Sequence, residues 1–141
     1  MIRKLVVDDL DEIYNICSQQ FKEESWTKLQ LQDALESNFC LGFFEGEKLA
    51  SFLIAQNLID DFNILLIATA ENFKRQHLAS DLLQNLEKHC IAMNISKIWL
   101  EVRQSNISAQ KFYLKNNFKQ ICIRKKYYGG KEDAIILEKH I

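Results

Sequence analysis

The sequence contains no proline, and it has no repeat, no low-complexity segment and no stretch typical of a linker. Together with a length of 141 residues, these absences predict that residues 1–141 form a single domain. No apolar run approaches the roughly 18 residues that a membrane-spanning helix needs. The amino terminus leads directly into a strand-like pattern and lacks the features of a signal peptide, so we expect a cytoplasmic protein.

Neither sign of charge dominates, because 18 basic and 19 acidic residues leave a net charge of −1. Such a chain has no general attraction to nucleic acid or to anionic lipid, and we expect neither as a partner. The four cysteines and three histidines lack the spacing of a metal site, so no metal is predicted. Without a signal peptide, the cysteines are expected to be reduced and mostly to fill the core.

The spacing of apolar residues predicts an α/β (α+β) fold in the order β-α-α-β-β-β-α-β-α-β-β. The expected strands span residues 2–7, 39–44, 49–58, 63–69, 97–102, 119–124 and 134–139. Helices are expected after Asp8 and Asp9, after Ser25 or Thr27, over residues 73–92, and from Ser105 or Asn106 to Asn116.

The fourth and fifth predicted strands flank the 73–92 helix and should form a right-handed β-α-β unit with parallel strands. In such a sheet, ligands lie at the carboxyl ends of the strands, beside the amino terminus of the helix. These places correspond to residues 68–80 and 101–106. We therefore expect the functional site there.

The start of the 73–92 helix is a candidate anion site. Unpaired amides in the first turn and the positive end of the helix dipole suit a pyrophosphate, and Lys74 and Arg75 add positive charge. The same pattern is also typical of an ordinary helix start whose basic side chains are solvated.

The segment 99–106, followed by Tyr113, brings a carboxylate and a phenol near one seam of the predicted sheet. Transfer of an acyl group from a thioester to an amine needs such a pair, because the amine must lose a proton and the departing thiolate must gain one. Structural explanations stay open for each residue: Glu101 could pair with Arg103, Tyr113 could lie in the core, and Asn106 could cap a helix.

Residues 98–106, with Ala109, Phe112-Tyr113 and Asn117-Phe118, resemble the acetyl-CoA-dependent N-acetyltransferases of the GNAT superfamily, and most closely its RimI subfamily. The resemblance implies the GNAT fold, a mixed central sheet of about seven strands with about four helices.

Two further segments support the resemblance. Residues 127–136 are similar to the RimI ending, in which a Tyr-Tyr pair and a short turn precede Glu-Asp-Ala and a hydrophobic strand. Ser25-Trp26-Thr27 is similar to the Pro-Trp-Ser of the family, although the proline is missing. The likeness therefore spans nearly the whole chain.

The resemblance also implies a reaction and a set of site residues. Glu101 would be the general base and Tyr113 the general acid in direct transfer of acetyl from acetyl-CoA to the amino-terminal amine, an alanine, of a ribosomal protein. The coenzyme would contact Ile67, Ala68, Thr69, Lys74, Arg75, Gln76, His77, Leu78, Ala79, Ser80 and Asn106.

The pyrophosphate motif of the superfamily is Arg or Gln, two variable residues, Gly, one variable residue, then Gly or Ala. Here Lys74 takes the first place, His77 replaces the glycine and Ala79 fits the last. A Cβ at position 77 could obstruct the approach of the backbone to phosphate. Because we expect His77 inside the helix, where no positive φ is needed, we expect weakened rather than abolished coenzyme binding.

Two alternatives remain open at this point. The same chemistry could act on a lysine side chain, a polyamine or an antibiotic amine. A non-catalytic binding protein of the same fold, with impaired use of the coenzyme, would account for His77, although the presence of both Glu101 and Tyr113 favours an enzyme. We expect a monomer or a weak homodimer.

Overall fold

The computed structural model describes residues 1–21 and 26–141, and only the backbone of Tyr128. Ser25, one of the two predicted starts of the second helix, lies outside the described residues. Within them the elements follow the predicted order. They are β1 (Ile2–Lys4), α1 (Leu10–Phe21), α2 (Lys28–Ser37), β2 (Phe39–Glu45), β3 (Lys48–Asn57), β4 (Phe62–Thr69), α3 (Leu78–Ala92), β5 (Lys97–Arg103), α4 (Ile107–Lys115), β6 (Lys119–Tyr128) and β7 (Glu132–His140).

The strands form one mixed sheet in the order β1-β2-β3-β4-β5-β7-β6. The pair β4–β5 is parallel and the other neighbouring pairs are antiparallel. The predicted β-α-β unit and the α/β fold class are therefore confirmed. The sequence did not indicate that β7 inserts between β5 and β6.

The parallel strands β4 and β5 pair only at their beginnings, where Phe62 faces Ile98 and Asn63 faces Trp99. Beyond these pairs both strands continue without each other, so the sheet opens along their carboxyl halves. On its other edge β4 stays paired with β3, with one irregularity: Ile54 of β3 faces Leu66, and the next residue, Ala55, faces Ile64. This extra residue in β4, Leu65, is a bulge, which locally bends the strand beside the opening.

Hydrophobic core lies on both faces of the sheet. On one face α1 and α2 bury Ile13, Ile16, Cys17, Leu31 and Ala34. On the other face the predicted inner side of α3 is confirmed, because Leu78, Leu82, Leu83 and Leu86 are all buried.

Three of the four cysteines, Cys17, Cys40 and Cys90, are buried thiols, whereas Cys122 is exposed on β6. Burial raises the pKa of Cys17 and of Cys40 to about 12. The expectation that the cysteines mostly fill the core is therefore confirmed.

Two boundaries near the amino terminus depend on hydrogen bonds. The first strand ends at Lys4 rather than at residue 7, because the chain forms a 3₁₀ turn over Val7–Asp9. Asp9 does not cap α1; its carboxylate accepts hydrogen bonds from the Val6 N–H and from both terminal nitrogens of Arg3. Thr27 is the predicted cap of α2, and its hydroxyl accepts from the Gln30 N–H at 3.1 Å.

Candidate active site

A cavity of about 860 Å³ lies where β4 and β5 separate, bounded by the start of α3 and by α4. Every residue that the sequence singled out for the site lines it: Ile67, Ala68, Thr69, Lys74, Arg75, Gln76, His77, Leu78, Ala79, Ser80, Glu101, Asn106 and Tyr113. The lining also includes residues outside the predicted site, among them Gln20, Phe21, Leu100, Ala109, Phe112 and Lys115. Those on α4 could have been found, because positions 109, 112 and 113 share a face at helical spacing.

The carboxyl end of β4 is anchored by a buried serine on β3. The hydroxyl of Ser51 donates to the carbonyl oxygen of Ala68 at 2.9 Å and lies 2.9 Å from the Thr69 hydroxyl. Ser51 is fully buried, so these bonds are shielded from water. These hydrogen bonds hold residues 67–69 against β3, and the other edge of β4 faces the opening between β4 and β5.

The segment before α3 departs from the expected helix. Residues 71–73 form a separate 3₁₀ turn and α3 begins only at Leu78, so the predicted start at residue 73 is wrong. Residues 74–77 have no apolar side chain to bury against the sheet, which removes the packing that stabilises most protein helices. The backbone is left-handed at Arg75, with φ 67°, and at His77, with φ 61°.

The conformation of His77 overturns the assumption that no positive φ is needed there. His77 is the residue before the first turn of α3, and it lies in the left-handed region. Glycine adopts this region freely, whereas a residue with a Cβ pays roughly 1–2 kcal/mol. This chain therefore has a histidine with a strained backbone at the position where the superfamily motif has glycine.

The amino terminus of α3 faces the cavity with open amides. The His77 side chain makes no capping hydrogen bond, so no side chain of the described residues satisfies the first turn in this way. Lys74 forms an ion pair with Glu71 at 3.0 Å. Hydrogen bonding and charge from Lys74, assisted by Gln20, lower the pKa of Glu71. Part of the Lys74 charge is therefore already matched.

Glu101 lies near the end of β5, on the face opposite to its neighbours Leu100 and Val102, which are buried in the core beside α3 and α4. Its side chain is 19% exposed. The expected structural partner was Arg103, but Glu101 Oε1 instead accepts from Arg124 Nη1 at 2.7 Å. Arg103 pairs with Glu132 at 3.2 Å.

Tyr113 is a core residue that also lines the cavity. It is 4% exposed, and its ring packs edge-on against Phe112 and Phe118, with centroids 5.1 and 5.3 Å away. Burial raises its pKa above the ordinary value, because the phenolate would be poorly solvated. The phenol is therefore protonated at neutral pH, the state that a proton donor needs.

The loop between β5 and α4 is fixed by three side chains, those of Asn106, Glu132 and Gln110, and Gln110 Nε2 donates to the carbonyl oxygens of Arg103 and Gln104. Asn106 caps α4, as its alternative structural role predicted, and its side-chain Oδ1 accepts from the Ala109 N–H at 3.2 Å. Glu132, at the start of β7, accepts from the Ser105 N–H at 2.7 Å. Hydrogen bonds from Ser105 and Arg103 lower the pKa of Glu132. In the sequence Glu132 belongs to the carboxyl-terminal motif, and no local pattern indicates this contact.

Among the described residues, no group of three or more His, Cys, Asp or Glu side chains could hold a metal ion. In the same part of the chain, no helix is long and apolar enough to cross a membrane.

Known proteins resemble this chain in sequence and in fold. The model of the acetyltransferase (GNAT) family matches residues 7–118. The [ribosomal protein bS18]-alanine N-acetyltransferase of Haemophilus ducreyi is 35% identical over 97% of this chain and 97% of its own length. The crystal structure of the ribosomal-protein-S18-alanine N-acetyltransferase from Escherichia coli superposes with a TM-score of 0.89 at 30% identity, over 100% of this chain and 93% of that one. Ard1 from Thermoplasma volcanium shares the fold, with a TM-score of 0.90 at 23% identity, over 100% and 97% of the two chains.

The chain therefore belongs to the GNAT family of acetyltransferases. Within that family its relatives are alanine N-acetyltransferases of the RimI type, so the resemblance drawn from residues 98–106 is confirmed.

Proposed function

We propose that this protein transfers the acetyl group of acetyl-CoA to the amino-terminal alanine of a ribosomal protein, with bS18, the acceptor named for its relatives, as the first candidate. The observation that carries the proposal is the position of Glu101 and Tyr113 on one cavity that opens between β4 and β5. A cytoplasmic location fits an acceptor of this kind.

The shape and chemistry of the cavity suit acetyl-CoA. The open edge of β4 at Ile67, Ala68 and Thr69 offers backbone groups to the amides of the pantetheine arm. The uncapped first turn of α3, residues 78–80, offers amide donors to the pyrophosphate. Asn106 borders the same cavity at the start of α4.

The reaction is a direct transfer in one attack. The acceptor nitrogen forms a bond to the thioester carbonyl carbon, and the carbon–sulfur bond breaks. Glu101 takes the proton that the amine loses, directly or through a water molecule, and Tyr113 gives a proton to the departing thiolate. An α-amino group has a pKa of roughly 7.7–8.0, so a carboxylate can assist its deprotonation near neutral pH.

A non-catalytic role is less well supported. If the segment of residues 74–77 were helical, it would close the pyrophosphate site at the start of α3. Instead His77 adopts the left-handed conformation that a glycine would take, and the amides of α3 stay open. These open amides support coenzyme binding at the start of α3.

A peptide panel tests the proposal and separates acceptor classes. The panel contains a peptide beginning with alanine, the same peptide with a blocked amino terminus and an internal lysine, and a polyamine. Acetylation, located by mass spectrometry, should occur on the amino-terminal amine of the first peptide. Acetylation of only the lysine or the polyamine would contradict the proposed acceptor while leaving the chemistry intact.

A further inference from the structure

The ion pair between Glu101 and Arg124 joins two strands that are not neighbours. Glu101 on β5 faces Ile136 on β7, which faces Cys122 on β6, and Arg124 lies two residues further along β6. The Arg124 guanidinium crosses the intervening strand to reach Glu101 Oε1 at 2.7 Å. Half of the Arg124 side chain is exposed, so this contact lies at the protein surface rather than in the core.

The carboxylate of Glu101 has two oxygens, and Arg124 bonds one of them. A charge-assisted bond of this length fixes the orientation of the carboxylate. The guanidinium is also placed over the ring of Tyr127, 5.5 Å from its centroid, which limits its own freedom. The second oxygen, Oε2, is left for the acceptor amine or for a water molecule between them.

The charge of Arg124 matters for the protonation state of the acceptor. A lone carboxylate attracts an ammonium group and stabilises it against loss of a proton. The general base would then hold the acceptor in its unreactive form. A guanidinium on the same carboxylate offsets this attraction, so more of the bound acceptor is the free amine at neutral pH.

We propose that Arg124 is a positioning residue for acetyl transfer, which orients the carboxylate of Glu101 and offsets its charge so that the acceptor can bind beside it as a free amine. The inference rests on the proposed function. It assigns a role to a residue of the β6 edge strand that lies outside the lining of the cavity.

Other charged groups around Glu101 already have partners or lie on other walls. On the same strand Arg103 pairs with Glu132 of β7, and the β7 residue facing Glu101 is the apolar Ile136. From α4, Tyr113 and Lys115 line the cavity, and the segment before α3 contributes Lys74, Arg75 and His77. Arg124 is the cation in direct contact with Glu101 among the described residues.

The test is the pH dependence of kcat with a saturating alanine-terminated peptide, for the wild type, Arg124→Gln, Arg124→Lys and Lys125→Gln. Lys125 is the matched control: it lies next to Arg124, is 81% exposed and contacts Asp133 at 3.8 Å, so its loss removes the same charge without touching Glu101. In Arg124→Gln the acid limb should move upward by about 0.5–1 pH unit, with kcat several-fold lower at neutral pH and recovery at high pH. The KM for the peptide should stay equal or fall, because the ammonium form binds more tightly.

Arg124→Lys should lie near the wild type and Lys125→Gln should match it. An unshifted limb in Arg124→Gln, or an equal loss of kcat at every pH, would overturn the proposal. If Arg124→Gln does not fold, Arg124→Met provides the same comparison, and loss of folding in both would show that Arg124 acts through stability instead. Failure of the wild type to acetylate the peptide would contradict the proposed function itself, which is a separate result.

Discussion

Glu101 and Tyr113 reach the same cavity from opposite faces of the sheet. Glu101 alternates with Leu100 and Val102, which pack in the same core as Tyr113, so its carboxylate lies on the other face. Both residues line the cavity where β4 and β5 separate. In the proposed reaction, the acceptor approaches on the side of Glu101 and the sulfur leaves on the side of Tyr113.

The role of Tyr113 can be tested by removing only its hydroxyl. Tyr113→Phe should lower turnover by about 10²-fold or more, because the thiolate loses its proton donor. Stability should change little, since the ring contacts with Phe112 and Phe118 remain. Tyr14→Phe, the same change on α1, is the control for kcat and thermal melting. Wild-type turnover in Tyr113→Phe would assign Tyr113 to the core alone.

The strain at His77 predicts an unusual effect of glycine next to a helix. His77→Gly should stabilise the protein by about 0.5–1 kcal/mol, because relief of the left-handed strain exceeds the added entropy of the unfolded chain. It should also tighten the binding of acetyl-CoA. His77→Ala keeps the strained backbone and removes only the imidazole, so it should show neither gain. Thermal melting measures the stability, and calorimetric titration measures the affinity for acetyl-CoA. A lower melting temperature for His77→Gly would contradict the strain assigned to position 77.

The hydrogen bonds of Asp9 predict a loss of stability in acid. Burial alone would raise the pKa of Asp9, but the bonds from Arg3 and the Val6 N–H outweigh it and lower the pKa. The contribution of Asp9 is therefore complete above the ordinary carboxyl pKa of about 3.9 and is lost as the pH falls through its lower folded value. Asp9→Asn should cost about 1–3 kcal/mol at pH 7.

Urea unfolding at several pH values checks this prediction. The difference between wild type and Asp9→Asn should shrink as the pH falls below about 4. Asp8→Asn, at the exposed neighbouring position, should have little effect. A difference that stays constant down to the lowest pH would show that the charge of Asp9 is not what stabilises this turn.

The contact of Glu132 with the loop before α4 predicts a local change. Glu132→Ala removes the acceptor for the Ser105 N–H and the partner of Arg103. Hydrogen exchange at the Ser105 amide should become faster, and the KM for acetyl-CoA should rise because Asn106 is less well placed. Glu138→Ala on the same strand is the control. Unchanged exchange at Ser105 would argue against this role.

Local patterns predicted much of this structure. The apolar stripe of α3 and the alternation in β5 depend on contacts that repeat along one element, so periodicity reveals them. The start of α3 was predicted wrongly. The residue types at 74–77 are compatible with a helix, but none of them has an apolar side chain to pack against the sheet. The insertion of β7 between β5 and β6, and with it the pairing of Arg124 with Glu101, depends on contacts between distant segments that no local pattern records.

The most direct test of the account is the rate at which the alanine-terminated peptide is acetylated by the wild type and by Glu101→Gln between about pH 6 and 9. The wild type should modify the amino-terminal amine across this range. Glu101→Gln should be most impaired at low pH, where free amine is scarce, and should partly recover as the pH passes the pKa of the amine. A loss that is uniform across the range would contradict Glu101 as the base, and absence of acetylation by the wild type would contradict the function.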